Sequence, residues 1–141
     1  MPQTQQPLPQ GRYRTASRIG QIIFTAGMTP RKEGQLIKTG PVDSSTDLHQ
    51  YSKAARLAAA NALVAAQSQL KPNESILKIA SMTVFIAAHP SFTHHSKIAD
   101  FSSDYLIEML GDNAICSRAA VGVNSLPGNA PIEITLIAEA G

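Results

Sequence analysis

The sequence contains no tryptophan and a single cysteine, Cys116. One thiol excludes an internal disulfide, so the 141-residue chain must be held by its core, and it is long enough to bury one. Of the four histidines only His94 and His95 are adjacent. No cysteine or carboxylate sits at metal-ligand spacing from them, so no metal site is expected. Aromatics number four Phe and three Tyr, too few for a platform that stacks bases. The net charge of +2 supplies no basic stripe for nucleic acid; the cluster Arg12, Arg14, Arg18 reads as a solvated edge. Charged residues make up 16%, against about 25% in an average chain. A surface this poor in charge suggests that part of it is covered in an oligomer. No apolar run nears the roughly 20 residues of a membrane span. Residues 1–10 are Pro/Gln-rich without the apolar stretch of a secretory signal, so the default expectation is a cytoplasmic protein.

What is present organises into a flexible tail, 1–10, and a single domain, 11–141. Strands are expected at Tyr13–Ile19 and Ile22–Thr25, joined by a Gly20-Gln21 turn. Residues 31–45 read as a loop or short strand. Asp43, Ser44, Ser45, Thr46 and Asp47 offer caps for an Ala-rich helix from about Thr46 to Leu70. Its Ala54, Leu57, Ala58, Asn61, Ala62 and Ala65 recur on one narrow face. Ile76–Ala88 reads as a strand apolar on both faces, hence central. Ser91 is a candidate cap for a second helix, Phe92–Leu110. Strands Ile115–Val123 and Pro131–Glu139 follow, with Leu126-Pro127-Gly128-Asn129 as the turn between them. The order predicts a two-layer α/β sandwich, a mixed sheet with two helices on one face. Its other face would be bare and partly apolar, the mark of a partner surface.

Two charges interrupt apolar strands. Arg118 lies within Ala114–Val121 and Glu133 within Ile132-Glu133-Ile134. A guanidinium there is costly to desolvate unless it meets an anion. Both lie about equally far from the Leu126 turn, so an antiparallel hairpin would bring them together. Two readings stay open: a structural ion pair, or a site in which Arg118 holds a carboxylate and Glu133 handles water or a proton. Cys116 points the same way as Arg118 along the strand, and with no base at an obvious position it reads as an inert thiol. Tyr13 reads as packing, Gly27 as a turn, and His94-His95 as surface.

Larger pieces carry a resemblance. Gly11-Arg12-Tyr13, Ile23-Phe24-Thr25-Ala26-Gly27, Met82-Thr83-Val84-Phe85-Ile86, Ser117-Arg118-Ala119-Ala120-Val121 and Leu126-Pro127 followed by Ile132-Glu133-Ile134 resemble, in order and spacing, the RidA/YjgF family. These are reactive-intermediate imine deaminases once grouped as L-PSP-type endoribonucleases. The resemblance covers roughly residues 11 to 140. It implies a chorismate-mutase-like fold and a homotrimer around a central sheet core, with sites between subunits. It further implies hydrolysis of a small carboxylate-bearing imine or enamine to a 2-keto acid and ammonia, with no metal or cofactor. Arg118 would hold the carboxylate, and Glu133 and Tyr13 would place the water. Ala26, Gly27, Cys116 and Ala120 would line the pocket. The sequence departs from the family at Ala26, where a Ser is usual, at Ala120, where a small polar residue or Cys is usual, and at Ser96, where an Asn is usual. These departures mark a divergent branch. The rival readings are a non-catalytic carboxylate-binding or regulatory trimer and, third, a ribonuclease.

Overall fold

The computed structural model describes residues 5–43 and 45–141. Residues 1–4 of the tail and the candidate cap Ser44 lie outside the described residues. Strands β1 (Ala16–Ile19) and β2 (Ile22–Thr25) form the expected hairpin, Ile19 opposite Ile22. Gly20 takes φ +60°, the left-handed conformation that tight hairpin turns require. The first strand starts at Ala16 rather than Tyr13, because its partner runs out: the last cross-strand bond joins Ala26 N–H to the Thr15 carbonyl, 2.8 Å. A two-stranded ribbon, β3 (Arg31–Lys32) and β4 (Gln35–Leu36), occupies the segment read as a loop.

Of the candidate caps, Asp47 is the one used. Its carboxylate accepts from His49 N–H at 3.0 Å and starts a 3-10 turn, Leu48–Tyr51. Helix α1 (Ser52–Gln67) follows, starting six residues later than expected. Every residue from Leu57 to Ala66 is buried, together with Ala54 and Ala55. The apolar face is therefore not narrow: α1 is enclosed by the sheet, β3 and the second helix at once, and small side chains make that possible. Helix α2 (His95–Leu110) begins three residues after Phe92. Ser91 does not cap it, because its hydroxyl bonds His89 Nδ1 at 2.8 Å. Phe92, Ile98, Tyr105 and Leu106 are buried, as their spacing predicts.

The remaining strands are β5 (Ile76–Ala87), β6 (Ser117–Val123) and β7 (Ile132–Ala140), and the sheet order is β1-β2-β7-β5-β6. The fold is α+β, a mixed five-stranded sheet with two long helices on one face. One expectation is corrected: β6 and β7 do not form a hairpin. Strand β5 lies between them, parallel to β6 and antiparallel to β7. The apolar β5 takes an interior place, buried on its Met82, Val84 and Ile86 face, and the eight-residue connection 124–131 is long enough to cross its end, about 10 Å for two strand spacings.

Alternation and register sort the side chains. Met82, Val84 and Ile86 of β5 and Ile132, Ile134 and Leu136 of β7 point to the helices and are almost fully buried. The opposite face carries Phe24, Phe85, Val121 and Ile137 among Ser81, Thr83, Ala119 and Thr135, paired side by side across the strands. No helix covers that face, and Phe24 and Val121 are exposed on it.

Candidate functional site

Arg118 sits on β6, an edge strand, beside the buried Met82 of β5. Neighbours across a ladder share a face, so Arg118 points to the helix side. There it meets α2: Nη1 donates to Asp100 Oδ1 (2.8 Å) and Ser103 Oγ (2.9 Å), and Nη2 donates to the Oγ of Ser96 (2.8 Å) and, at 3.4 Å, to its carbonyl. The cost of placing a guanidinium in an apolar strand is thus met by an ion pair and two hydroxyls. The side chain keeps 19% of its exposure, so it remains reachable from the sheet edge.

Glu133 pairs with Phe85 on β7 and points to the opposite, uncovered face. Within one chain Arg118 and Glu133 therefore lie on opposite sides of the sheet and do not meet. The expected proximity fails because β5 separates their strands, and the ion-pair reading fails with it: the partner of Arg118 is Asp100. The Glu133 side chain has neither an ion pair nor a hydrogen bond among the described residues. Burial pushes its carboxyl above the ordinary glutamate range. Its side chain lies directly on Gly27. A Cβ built there would stand 2.6 Å from Glu133 Cδ and 2.7 Å from Oε2, so only glycine leaves the carboxylate room.

Gly27 also lines a cleft of about 270 Å³ with Tyr13, Met28, Arg31 and Asn61, roofed by tail residues from Gln5 to Gln10. Tyr13 is 45% exposed and its hydroxyl accepts from Gln10 N–H at 2.9 Å, so it is not the packing residue that its sequence context suggests. Asn61, read as part of the apolar stripe of α1, is buried and donates to the carbonyls of Thr29 and Arg31 at 3.0 and 2.9 Å. It fixes the backbone just after Gly27. Gln6 Nε2 lies 3.5 Å from the Val64 carbonyl on the same side.

The remaining candidates divide between these two places. Ala26 packs partly buried beside Gly27, its N–H held by Thr15. Ala120 and Cys116 pack against the core near Arg118. Burial pushes the Cys116 thiol up, against the opposing pull of Arg118 and of a backbone bond to Met82. That is the direction of an unreactive thiol. His95 is not a plain surface residue: its ring lies over Gly122 of β6, where a Cβ would come within 2.6 Å of Nε2, and packs edge-on against Phe92.

The sequence candidates thus fall in two places: Gly27 lies against Glu133 and shares its cleft with Tyr13, while Arg118, Ala120 and Cys116 lie near one another on the helix side of the sheet edge. The residues missed in the sequence are Asp100 and Ser103. The signal was there: Ser96, Asp100 and Ser103 stand at i, i+4 and i+7, one face of α2. No group of three or more His, Cys, Asp and Glu that could hold a metal ion occurs among the described residues. No helix among them is long and apolar enough to cross a membrane.

A family model described as Endoribonuclease L-PSP matches residues 3–140. A protein of unknown function from Agrobacterium tumefaciens is 29% identical, with a TM-score of 0.86 over 95% of this chain and 86% of that one. The YjgF gene product of Escherichia coli has the same fold at 23% identity, TM-score 0.67, over 95% of this chain and 92% of its own. Escherichia coli TdcF, whose structure holds bound serine, aligns at 24% identity and TM-score 0.67 over 95% and 92% of the two chains. The family resemblance read from the motifs is borne out, and so is the chorismate-mutase-like layout that it implied.

Proposed function

We propose that this chain, which belongs to the Endoribonuclease L-PSP family (YjgF/RidA) as a divergent member, hydrolyses small 2-imino acids to 2-keto acids and ammonia at sites shared between subunits of a homotrimer. The observation that carries the reading is Glu133. It is an unpaired carboxyl, raised in pKa by burial and seated on a glycine that makes room for it. A structural carboxylate in such a place would have a cation; a carboxyl that exchanges protons with a substrate needs none. Arg118 supplies the complementary function in the other place, where a guanidinium at a reachable edge can pair with a carboxylate and orient it.

The chemistry asks little of the protein. A protonated imine is already electrophilic. Glu133 takes a proton from water as its oxygen bonds to C2, and the C=N π electrons move to nitrogen. Glu133 returns that proton to nitrogen and then takes the remaining hydroxyl proton, so that ammonia leaves as the C=O bond forms. Tyr13, on the Gly27 side, would hold the water or the departing nitrogen. Because Arg118 and Glu133 occupy opposite faces of one sheet, the reading requires Arg118 of one subunit to face Glu133 of a neighbour. The uncovered sheet face with Phe24, Phe85, Val121 and Ile137 offers the surface for that assembly. A cytoplasmic location completes the proposal.

One observation favours a second reading, a non-catalytic carboxylate binder: Arg118 is already engaged by Asp100, and Ala26 and Ala120 bring no polar side-chain group to the pocket. The ribonuclease reading has least support, since Tyr13 and Phe24 are the exposed aromatics among the described residues and stand alone.

The test measures ammonia and keto-acid release from freshly generated 2-iminobutyrate, with oligomer mass determined in parallel. Wild type should accelerate hydrolysis over buffer, and Arg118→Ala and Glu133→Gln should each abolish the acceleration while remaining trimeric. Mixed trimers of the two variants should regain part of it, because one junction then holds both side chains. No acceleration by wild type would hand the site to the binder reading.

A further inference from the structure

The surroundings of Arg118 impose a charge condition on whatever binds there. Both Nη groups are directed at α2: Nη1 to Asp100 and Ser103, and Nη2 to the hydroxyl and carbonyl of Ser96. Only Nε has no partner among the described residues, and the 3.4 Å contact to the Ser96 carbonyl is the weakest of the four. An incoming carboxylate therefore has one inexpensive approach. It can take Nε–H together with an Nη2 proton at the expense of a contact to Ser96, leaving Asp100 in place. Asp100 is 61% exposed, and its second oxygen has no partner among the described residues.

We infer that Asp100 is a specificity-determining residue that selects ligands carrying a cationic nitrogen beside their carboxylate. This inference rests on the proposed role of Arg118 as the carboxylate anchor. The Arg118–Asp100 pair has no net charge. A simple anion placed on Arg118 shares the guanidinium with a second carboxylate and is repelled by it. A 2-iminium acid or an amino acid presents a cation on the atom next to the carboxyl carbon, and that cation is drawn to the free oxygen of Asp100. Hydrolysis removes this cation as ammonia, so the same carboxylate that admits the zwitterion weakens retention of the keto-acid product. The arrangement gives the hydroxyls a purpose too: Ser96 and Ser103 hold the guanidinium from either side, so it stays in place as ligands exchange.

The measurement is calorimetric binding of L-alanine and pyruvate, a zwitterion and an anion of one size, to the full-length protein and to Asp100→Asn. The asparagine keeps the shape and a carbonyl acceptor for Arg118. Wild type should prefer alanine. Asp100→Asn should bind pyruvate about three- to fivefold tighter and gain less for alanine, a change of the size that one exposed charge pair confers. Asp100→Ser, which shortens the side chain, should shift the preference the same way. An unchanged alanine-to-pyruvate ratio in both variants overturns the inference, as does failure of either ligand to bind any of the three proteins. Arg118→Ala separates the two ideas. If pyruvate binds it as well as wild type, the anchor role has failed; if Arg118→Ala loses binding while the Asp100 variants keep the wild-type ratio, the charge selection alone has failed.

Discussion

Substituting Gly27 by alanine tests the proposed site without touching any ionisable group. The new Cβ would lie 2.6 Å from Glu133 Cδ, 2.7 Å from Oε2 and 2.9 Å from Cγ. Ordinary contact between such atoms is about 3.5 Å, so the carboxylate must retreat by roughly 1 Å. A misplacement of that size in a reacting group costs about 100-fold in rate. Stability should change little. The φ of Gly27 lies outside the left-handed region, so alanine fits its backbone. The reduced freedom of the unfolded chain then stabilises the fold by about 0.4–1 kcal/mol, offsetting the displacement of one flexible side chain. The assay is kcat/KM for 2-iminobutyrate beside thermal unfolding. We expect a loss of about two orders of magnitude with an almost unchanged Tm. Adding Gly27→Ala to Glu133→Gln should cost little beyond the loss from Glu133→Gln alone, because both act on one carboxyl. Full activity in a stable Gly27→Ala protein would refute the claim that the position of Glu133 matters to the reaction.

Three further outcomes follow from the structure. Burial raises the Glu133 carboxyl pKa, so the folded state holds that proton more tightly than the unfolded chain. The associated stability is present below the unfolded value of about 4.3 and lost as pH rises through the folded one; Glu133→Gln should therefore gain Tm relative to wild type at pH 8 compared with pH 4. Glu74 shows the opposite sign: Arg18, through bonds of 2.6 and 2.9 Å, holds its carboxyl down at about 2. Its contribution is present above about pH 4.3 and lost as pH falls toward 2, so Glu74→Gln should flatten the fall in Tm across that interval. Ala62→Leu, at a position with no exposure, should destabilise the fold by about 1–3 kcal/mol through overpacking, measured by urea unfolding.

The elements of the fold were legible where a local signal fixes them. The Gly20-Gln21 turn, the interior place of β5 and the spacing of Ile98, Tyr105 and Leu106 each match what is found, whereas burial of both faces of β5 does not: its Thr83 and Phe85 face is only half-buried. The pairing of β6 with β7 was not legible, because adjacency in sequence is only a guide to adjacency in a sheet and β5 competes for the same ladder edges. That single error placed Arg118 beside Glu133 when they occupy opposite faces. Tyr13 and Gly27 were visible through the family motif but not as one cleft, since their meeting depends on where the chain enters β1. Asp100 and Ser103 needed only a comparison of the polar face of α2 with a charge in search of an anion. Asn61 was hidden by its own pattern, an amide counted in an apolar stripe.

The alanines of α1 have a consequence for how this sequence can change. Eight of the sixteen residues in that helix are alanine, each nearly or wholly without exposure. A single nucleotide change in an alanine codon gives valine, threonine, serine, glycine, proline or an acidic residue. In this position each of these adds volume, adds a polar group without a waiting partner, loosens the helix or breaks it. A helix with almost no chemistry of its own is thereby a poor place for drift, while the polar edge of α2 beside Arg118 stays free to vary. Divergence among relatives should therefore concentrate on the second helix, and with it the choice of ligand.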